Sequence, residues 1–169
     1  EVIKKIRGMY AFVLYDKKYS KIFFSRDHIG EKILYIYNKN DEIIISSEIK
    51  PIKILKEKLN LNILKLKEYF HTRHLITNNE TCFKEINTVK PGLLYEYDLT
   101  KNIINEVFDH SILNLVNKDT YNNFSNLSET DIVKECLERF RNGSKAIIPT
   151  INYASVCSGG VDSSLVSAL

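Results

Sequence analysis

The residues best suited to chemistry stand near the end of the sequence, in Ser158-Gly159-Gly160-Val161-Asp162-Ser163-Ser164. They follow an apolar β-type run, Tyr153-Ala154-Ser155-Val156-Cys157, and they open a helical segment. A strand that feeds a Gly-Gly loop at a helix start is suited to anions. The glycines let backbone N–H groups close around phosphate oxygens, and the helix N-terminus adds the positive end of a dipole. Hydroxyls on Ser158, Ser163 and Ser164 add donors. The Asp162 carboxylate would repel phosphate directly, so its place in such a loop calls for a bridging hard cation, Mg²⁺. No lysine is present, which excludes the G-x-x-x-x-G-K-[ST] loop. A Ser/Gly loop that only turns the chain is the plainer alternative. Seven positions acting together in a strand–loop–helix context favour phosphate binding.

Other candidates carry less. His71 and His74 sit three apart at helical spacing and could ligate a metal, but no third ligand accompanies them and Thr72-Arg73 brings a cation between them; surface histidines are the simpler reading. Arg26-Asp27 could be a catalytic pair, though a structural pair or turn accounts for it better. Glu48 and Lys50, near a helix start, suit scaffolding. Glu129 and Asp131 are first-turn carboxylates that favour a helix dipole.

The elements that must position these residues fall into two groups. Tyr10-Ala11-Phe12-Val13-Leu14-Tyr15 is a continuous apolar run expected as a strand, and Lys21-Ile22-Phe23-Phe24-Ser25 follows at hairpin distance across Asp16-Lys17-Lys18. Leu34 to Tyr37 and Glu42 to Ser46 flank the turn Asn38-Lys39-Asn40-Asp41. Leu59, Ile63, Leu66, Tyr69 and Phe70 give one apolar helical face. Pro91-Gly92 precedes a strand from Leu93 to Tyr97, with a partner strand from Ile103 to Phe108. Six strands and two helices predict an α+β layered domain. From Ser111 to Leu127 the pattern decays into Asn-rich sequence, expected as a linker. Ser128 then caps a helix expected to stop near Asn142-Gly143.

Composition limits the function classes. The chain has 169 residues, 44% of them hydrophobic, enough for a core in one domain or parts of two. A net charge of +3 with dispersed lysines is no nucleic-acid footprint. The Lys/aromatic alternation between Tyr15 and Phe23 suits a hairpin with a solvated turn better than a base-stacking platform. No run approaches the roughly 20 apolar residues of a membrane span, and the first residues do not form a signal peptide. Cys82, Cys136 and Cys157 are odd in number and widely spaced, which points to a reducing, cytoplasmic setting and away from disulfides or zinc. The sequence starts at Glu1 and stops a turn or two beyond the loop, so a piece of a longer protein is expected.

The S-G-G-x-D-S-S string resembles the pyrophosphate loop of ATP pyrophosphatases, which cleave ATP between the α- and β-phosphates. Upstream, Arg26-Asp27-His28-Ile29-Gly30-Glu31-Lys32-Ile33-Leu34-Tyr35 resembles the R-D-x-x-G-x-K-P-L-Y segment of class II glutamine amidotransferase domains. Arg7-Gly8-Met9-Tyr10-Ala11-Phe12, Ser47-Glu48-Ile49-Lys50, and Thr81 to Ile86 with Val89-Lys90-Pro91-Gly92 are similar to further strings of the same domains. In this order the strings resemble the glutamine-hydrolysing asparagine synthetase family over nearly the whole chain. Ile33 departs from the usual proline, and Cys157 from an aliphatic residue; a buried small hydrophobe would suit the latter place.

The resemblance implies the C-terminal part of an Ntn-hydrolase-like αββα glutaminase domain over 1–110, a linker over 111–127, and the start of an α/β ATP-pyrophosphatase domain (adenine nucleotide α-hydrolase-like) over 128–169. It implies ATP and Mg²⁺, with glutamine and aspartate as small-molecule substrates, no nucleic acid and no membrane, and it leaves a homodimer open. Val156, Ser158, Gly159, Gly160, Val161, Asp162, Ser163 and Ser164 would bind ATP, and Asp162 would also hold Mg²⁺ through the pyrophosphate. The family's glutaminase nucleophile is an N-terminal Cys. Residue 1 is Glu here, so no glutaminase catalytic residue is assigned, and this piece alone is expected to be inactive. The product would be asparagine, formed by way of β-aspartyl-AMP. The alternatives are a related amide-forming synthetase of the β-lactam or lasso-peptide type, or a non-catalytic copy that only binds nucleotide.

Overall fold

The computed structural model describes residues 2–76 and 79–169, and the chain divides into two compact units, Glu1–Leu115 and Val116–Leu169. In the first, a short 3₁₀ turn (Val2–Lys5) precedes strands β1 (Ala11–Asp16), β2 (Lys21–Arg26), β3 (Tyr35–Lys39) and β4 (Glu42–Ser46). Helices α1 (Ile49–Leu55) and α2 (Ile63–Thr72) follow, then β5 (Ile86–Thr88), β6 (Leu93–Asp98) and β7 (Ile103–Asp109). All strand pairs are antiparallel, in one sheet of order β1-β2-β6-β7 and another of order β4-β3-β5.

Local chemistry explains the hairpins. The Asp16 carboxylate accepts from the amides of Lys18 at 2.9 Å and Tyr19 at 3.2 Å, closing the β1–β2 turn. Asn40 and Asp41 both adopt positive φ, 54° and 58°, so the β3–β4 link is a two-residue turn of the I′ kind, whose twist matches its strands.

The period-two alternation of β3 and β4 builds the layers. Ile36, Ile43 and Ile45 turn toward the four-stranded sheet and pack with Phe24, Leu34, Val89, Tyr95 and Tyr97. Tyr35, Tyr37 and Ile44 turn the other way and pack with Ile52 and Ile86, both fully buried. Ile49 and Ile52 bring α1 onto that outer face. The result is a sheet–sheet–helix order, an α+β layered domain as expected.

Two local features differ from expectation. The apolar stripe of α2 is largely exposed, with Ile63 at 54% and Phe70 at 79%, while Lys65 is the buried residue of that helix. Its ammonium pairs with Glu68 at 2.8 Å and Glu80 at 3.7 Å. Strand β5 is only three residues long and carries no alternation of its own to reveal it.

The stretch expected as a plain linker holds the 3₁₀ turn Ile112–Leu115 in the first unit and helix α3 (Lys118–Ser125) in the second. A full capping box between Asn117 and Thr120 starts α3, so the Asn-rich sequence supplies a helix cap. Helix α4 (Glu129–Ile147) begins at the predicted Ser128 cap but runs past Gly143. Glycine costs about 1 kcal/mol against alanine inside a helix, too little to stop this one. Helix α5 (Val161–Ala168) closes the chain. The strand expected over Tyr153–Cys157 is absent. The segment is exposed, and Val116–Leu169 contains no strand that could pair with it. No helix among the described residues is long and apolar enough to cross a membrane.

Candidate functional site

The Ser158–Ser164 loop forms the entry to α5. Gly159 adopts φ +81°, a conformation that a side chain disfavours, and Gly160 is the extended N-cap residue. Ser158 and Ser163 meet at 2.9 Å between hydroxyl oxygens, and the Ser158 amide donates to Ser163 Oγ at 3.2 Å. Ser164 Oγ donates to the Gly160 carbonyl at 2.7 Å, and the Ser164 amide donates to the same oxygen at 3.1 Å. The serines therefore brace the loop against α5. The first-turn amides of Val161, Asp162 and Ser163 lack intrahelical acceptors by their position.

Of the predicted nucleotide-loop residues, Ser158, Gly160, Ser163 and Ser164 are joined in this network. Asp162 is exposed in the first turn of α5 and makes no hydrogen bond or ion pair among the described residues. Val156 is 91% exposed and stands apart from the network. Cys157 is exposed rather than buried, which corrects its reading as a small core hydrophobe. Its sulfur lies 3.3 Å from Ser164 Oγ and 3.9 Å from Ser163 Oγ. Hydrogen bonds from Ser164, the Gly159 amide and Ser163 hold its thiol below the usual range.

The first unit contains a second constellation of polar side chains, all aimed at backbone. Arg26, 7% exposed, sends Nε to the Lys32 carbonyl at 2.6 Å, Nη1 to Val89 at 2.7 Å and Nη2 to Gly30 at 2.6 Å. Asp27, 2% exposed, accepts from the amides of Glu31 at 2.9 Å, Lys32 at 3.0 Å, Ile29 at 3.3 Å and Tyr10 at 3.4 Å. Burial pushes its carboxyl up, but the backbone amides outweigh burial and hold it below the ordinary value. The two side chains are spent on the loop, not on each other, and neither is free for catalysis. The R-D-x-x-G-x-K string is therefore a loop-building device that ties β2 to the approach of β3 and to Val89.

Residues 1–109 match the family described as a glutamine amidotransferase domain. The chain belongs to that family. It is 42% identical over 73 residues to the "Putative asparagine synthetase [glutamine-hydrolyzing] 2" of Methanocaldococcus jannaschii, covering 41% of this chain and 14% of that protein. Its namesake numbered 1 in the same organism is 27% identical over 100% of the chain and 28% of its own length. Asparagine synthetase [glutamine-hydrolyzing] 1 of Bacillus subtilis is 23% identical over 98% of the chain and 25% of its length. The chain thus spans no more than 28% of these relatives.

Within the amidotransferase unit, the remaining candidates recede. His71 and His74 are exposed, and among the described residues no three His, Cys, Asp or Glu side chains are grouped as metal ligands. Glu48 is exposed at the N-cap of α1, without a capping side-chain bond. In the other unit, Glu129 and Asp131 occupy the first turn of α4; Asp131 is a cap partner, accepting from Ser128 Oγ at 2.6 Å.

Sequence reasoning missed one cluster in the amidotransferase unit. His110 is buried just beyond β7, with Nε2 3.0 Å from Ser25 Oγ, and His28 Nδ1 lies 2.5 Å from the His110 carbonyl. No spacing signal could have joined residues 82 positions apart.

Proposed function

We propose that this chain is part of an ATP-dependent amidotransferase ligase that converts aspartate, glutamine and ATP to asparagine by way of β-aspartyl-AMP. One observation carries the reading: a single chain joins a glutamine amidotransferase domain to a glycine-hinged loop whose first-turn amides and free carboxylate meet solvent together. Amide donors suit phosphate oxygens, and an uncommitted carboxylate beside them suits the cation that accompanies nucleotide.

Backbone amides from Gly160 to Ser163 would hold the β- and γ-phosphates. Ser158, Ser163 and Ser164 would brace the loop, and Val156 would lie near the adenosine. Asp162 would hold Mg²⁺ through the pyrophosphate, and that ion supplies charge neutralisation when bound. Adenylation gives the β-carboxylate a good leaving group, AMP, and ammonia from glutamine displaces it. Ammonia delivered away from water stays unprotonated and nucleophilic.

The test is isotope exchange between pyrophosphate and ATP in the intact protein. Exchange that depends on aspartate supports the reading. Exchange that depends instead on another carboxylic acid assigns a different amide product, and no exchange with any acceptor rejects ligase chemistry.

A further inference from the structure

His110 occupies the residue that follows β7, where the strand gives way to the 3₁₀ turn Ile112–Leu115. It is 8% exposed and tied at four points. Its amide donates to the Gly92 carbonyl at 2.7 Å, and its carbonyl accepts from His28 Nδ1 at 2.5 Å. Its Nε2 meets Ser25 Oγ at 3.0 Å, and its Nδ1 lies 3.5 Å from the Tyr10 hydroxyl.

The partners determine where the ring proton sits. Ser25 Oγ lies 2.8 Å from the Leu93 carbonyl, which can only accept, so the single serine proton points there. Ser25 must then accept from His110, which places the His110 proton on Nε2. His28 needs its own proton on Nδ1 to donate to the His110 carbonyl. That N–H faces the bare Nδ1 of His110 at 3.3 Å, with the two rings edge to face. Only a neutral His110 fits. A proton on its Nδ1 would set two N–H groups against each other and leave Tyr10 without its acceptor.

We infer that His110 and His28 form a proton-operated clasp: uptake of one proton from water onto His110 Nδ1 opens the Nδ1 pair and frees the stretch from His110 to Asn114 from the amidotransferase unit. The groups around His110 are accounted for on each side. Ser25 and Asp27 come from the β2 side, His28 from the following loop, Tyr10 from ahead of β1, and Phe108 and Asp109 from β7; Lys4 lies over the Phe108 ring at 5.0 Å. The Asp27 carboxylate is committed to backbone amides, and that of Asp109 accepts from the Ser111 amide at 2.8 Å. Burial first, and His28 second, hold the His110 imidazole below its ordinary value, against the opposing pull of Asp109 and Asp27. The sign follows: a released imidazole titrates near 6.5, so the clasp is closed at neutral pH and weakens as pH falls below about 6.5. Ordinary carboxylates titrate lower, outside this window. The clasp is independent of the ligase reading.

The experiment is amide hydrogen exchange on the intact chain at pH 7.5 and 5.5, corrected for intrinsic rates, with histidine ring titration by NMR. The opening constant of His110 to Asn114 should rise between the two pH values, to a ceiling of about tenfold set by a free imidazole. The β2–β6 amides should not change. His110→Gln keeps the ring's size and polarity without a titratable proton, and should abolish the rise. His28→Asn keeps a donor and removes the neighbouring ring that holds His110 down, so it should shift the His110 ring titration to higher pH and shrink the rise in opening. A His110 ring that titrates at or above 6.5 would overturn the clasp. So would an equal rise in the β2–β6 amides, or a rise that persists in His110→Gln. If His110→Gln fails to fold, the His28→Asn shift and the wild-type titration decide alone: no shift overturns it.

Discussion

Arg26 Nη2 lies 2.6 Å from the Gly30 carbonyl, and a Cβ placed on Gly30 would fall 2.8 Å from that same nitrogen and 2.9 Å from Pro91 Cβ. The guanidinium fork and the missing side chain define one geometry between them. Gly30 also sits at φ +76°, where a side chain adds backbone strain. Gly30→Ala should therefore lower stability by about 1–3 kcal/mol through strain and displacement of Arg26. Urea unfolding measures it: an unchanged midpoint would show that the loop relaxes freely. Arg26→Lys should be as harmful, because an ammonium cannot span the three carbonyls.

Asp27 is the acid side of the same loop. Its carboxyl is held below its unfolded value, so the stability it contributes is present above about pH 4, the unfolded value, and is lost as pH falls through the folded value. Asp27→Asn turns one acceptor into a donor facing backbone N–H groups. The expected cost at pH 7 is about 1–3 kcal/mol, and the slope of stability against pH below 4 should flatten. Thermal melts of both proteins from pH 2.5 to 7 would check this; parallel curves would count against it.

Much of this loop's role was legible in sequence as a turn, but not its partners. The hairpins were visible because their turn residues and alternation are local: Asn40-Asp41 pairs β3 with β4 without distant help. Helix α1 hides a proline, Pro51, yet that residue is in the first turn, where its missing N–H costs nothing. Strand β5 exists because Ile36 and Tyr37 of β3 pair with Asn87 and Ile86, a tertiary fact. The apolar stripe of α2 misled for the opposite reason: Lys65 is buried by Glu68 and Glu80, not by hydrophobicity. In the Ser158–Ser164 loop the hydroxyls read as donors to an anion, yet the structure spends those of Ser158, Ser163 and Ser164 on one another and on the Gly160 carbonyl. His28 with His110 was not legible, because folding alone brings them together.

Cys157 differs from the other thiols in its neighbours. Cys136 is also exposed; the Cys157 thiol is drawn down by Ser164, the Gly159 amide and Ser163. More of it is thiolate near neutral pH, and thiolate is the nucleophile. Iodoacetamide should label Cys157 ahead of Cys136 and Cys82 at pH 7.5, read by peptide mass spectrometry. Ser164→Ala should slow it toward the Cys136 rate. Labelling of Cys136 first would contradict the hydrogen-bond cause.

Asp162 allows folding to be tested apart from the proposed function. It is exposed and without a partner among the described residues, so Asp162→Ala should change stability by no more than about 0.5 kcal/mol. If its carboxylate holds the cation that accompanies ATP, the same substitution in the intact protein should abolish ATP–pyrophosphate exchange and leave glutamine hydrolysis largely intact. Asp162→Asn should fail similarly, because an amide has the shape but not the charge. Calorimetry and both activities, measured on one preparation, distinguish the outcomes. Equal loss of hydrolysis and exchange with an unchanged melt would mean that the two activities are not divided between the two units as proposed. Full exchange in both variants would remove Asp162 from the nucleotide site.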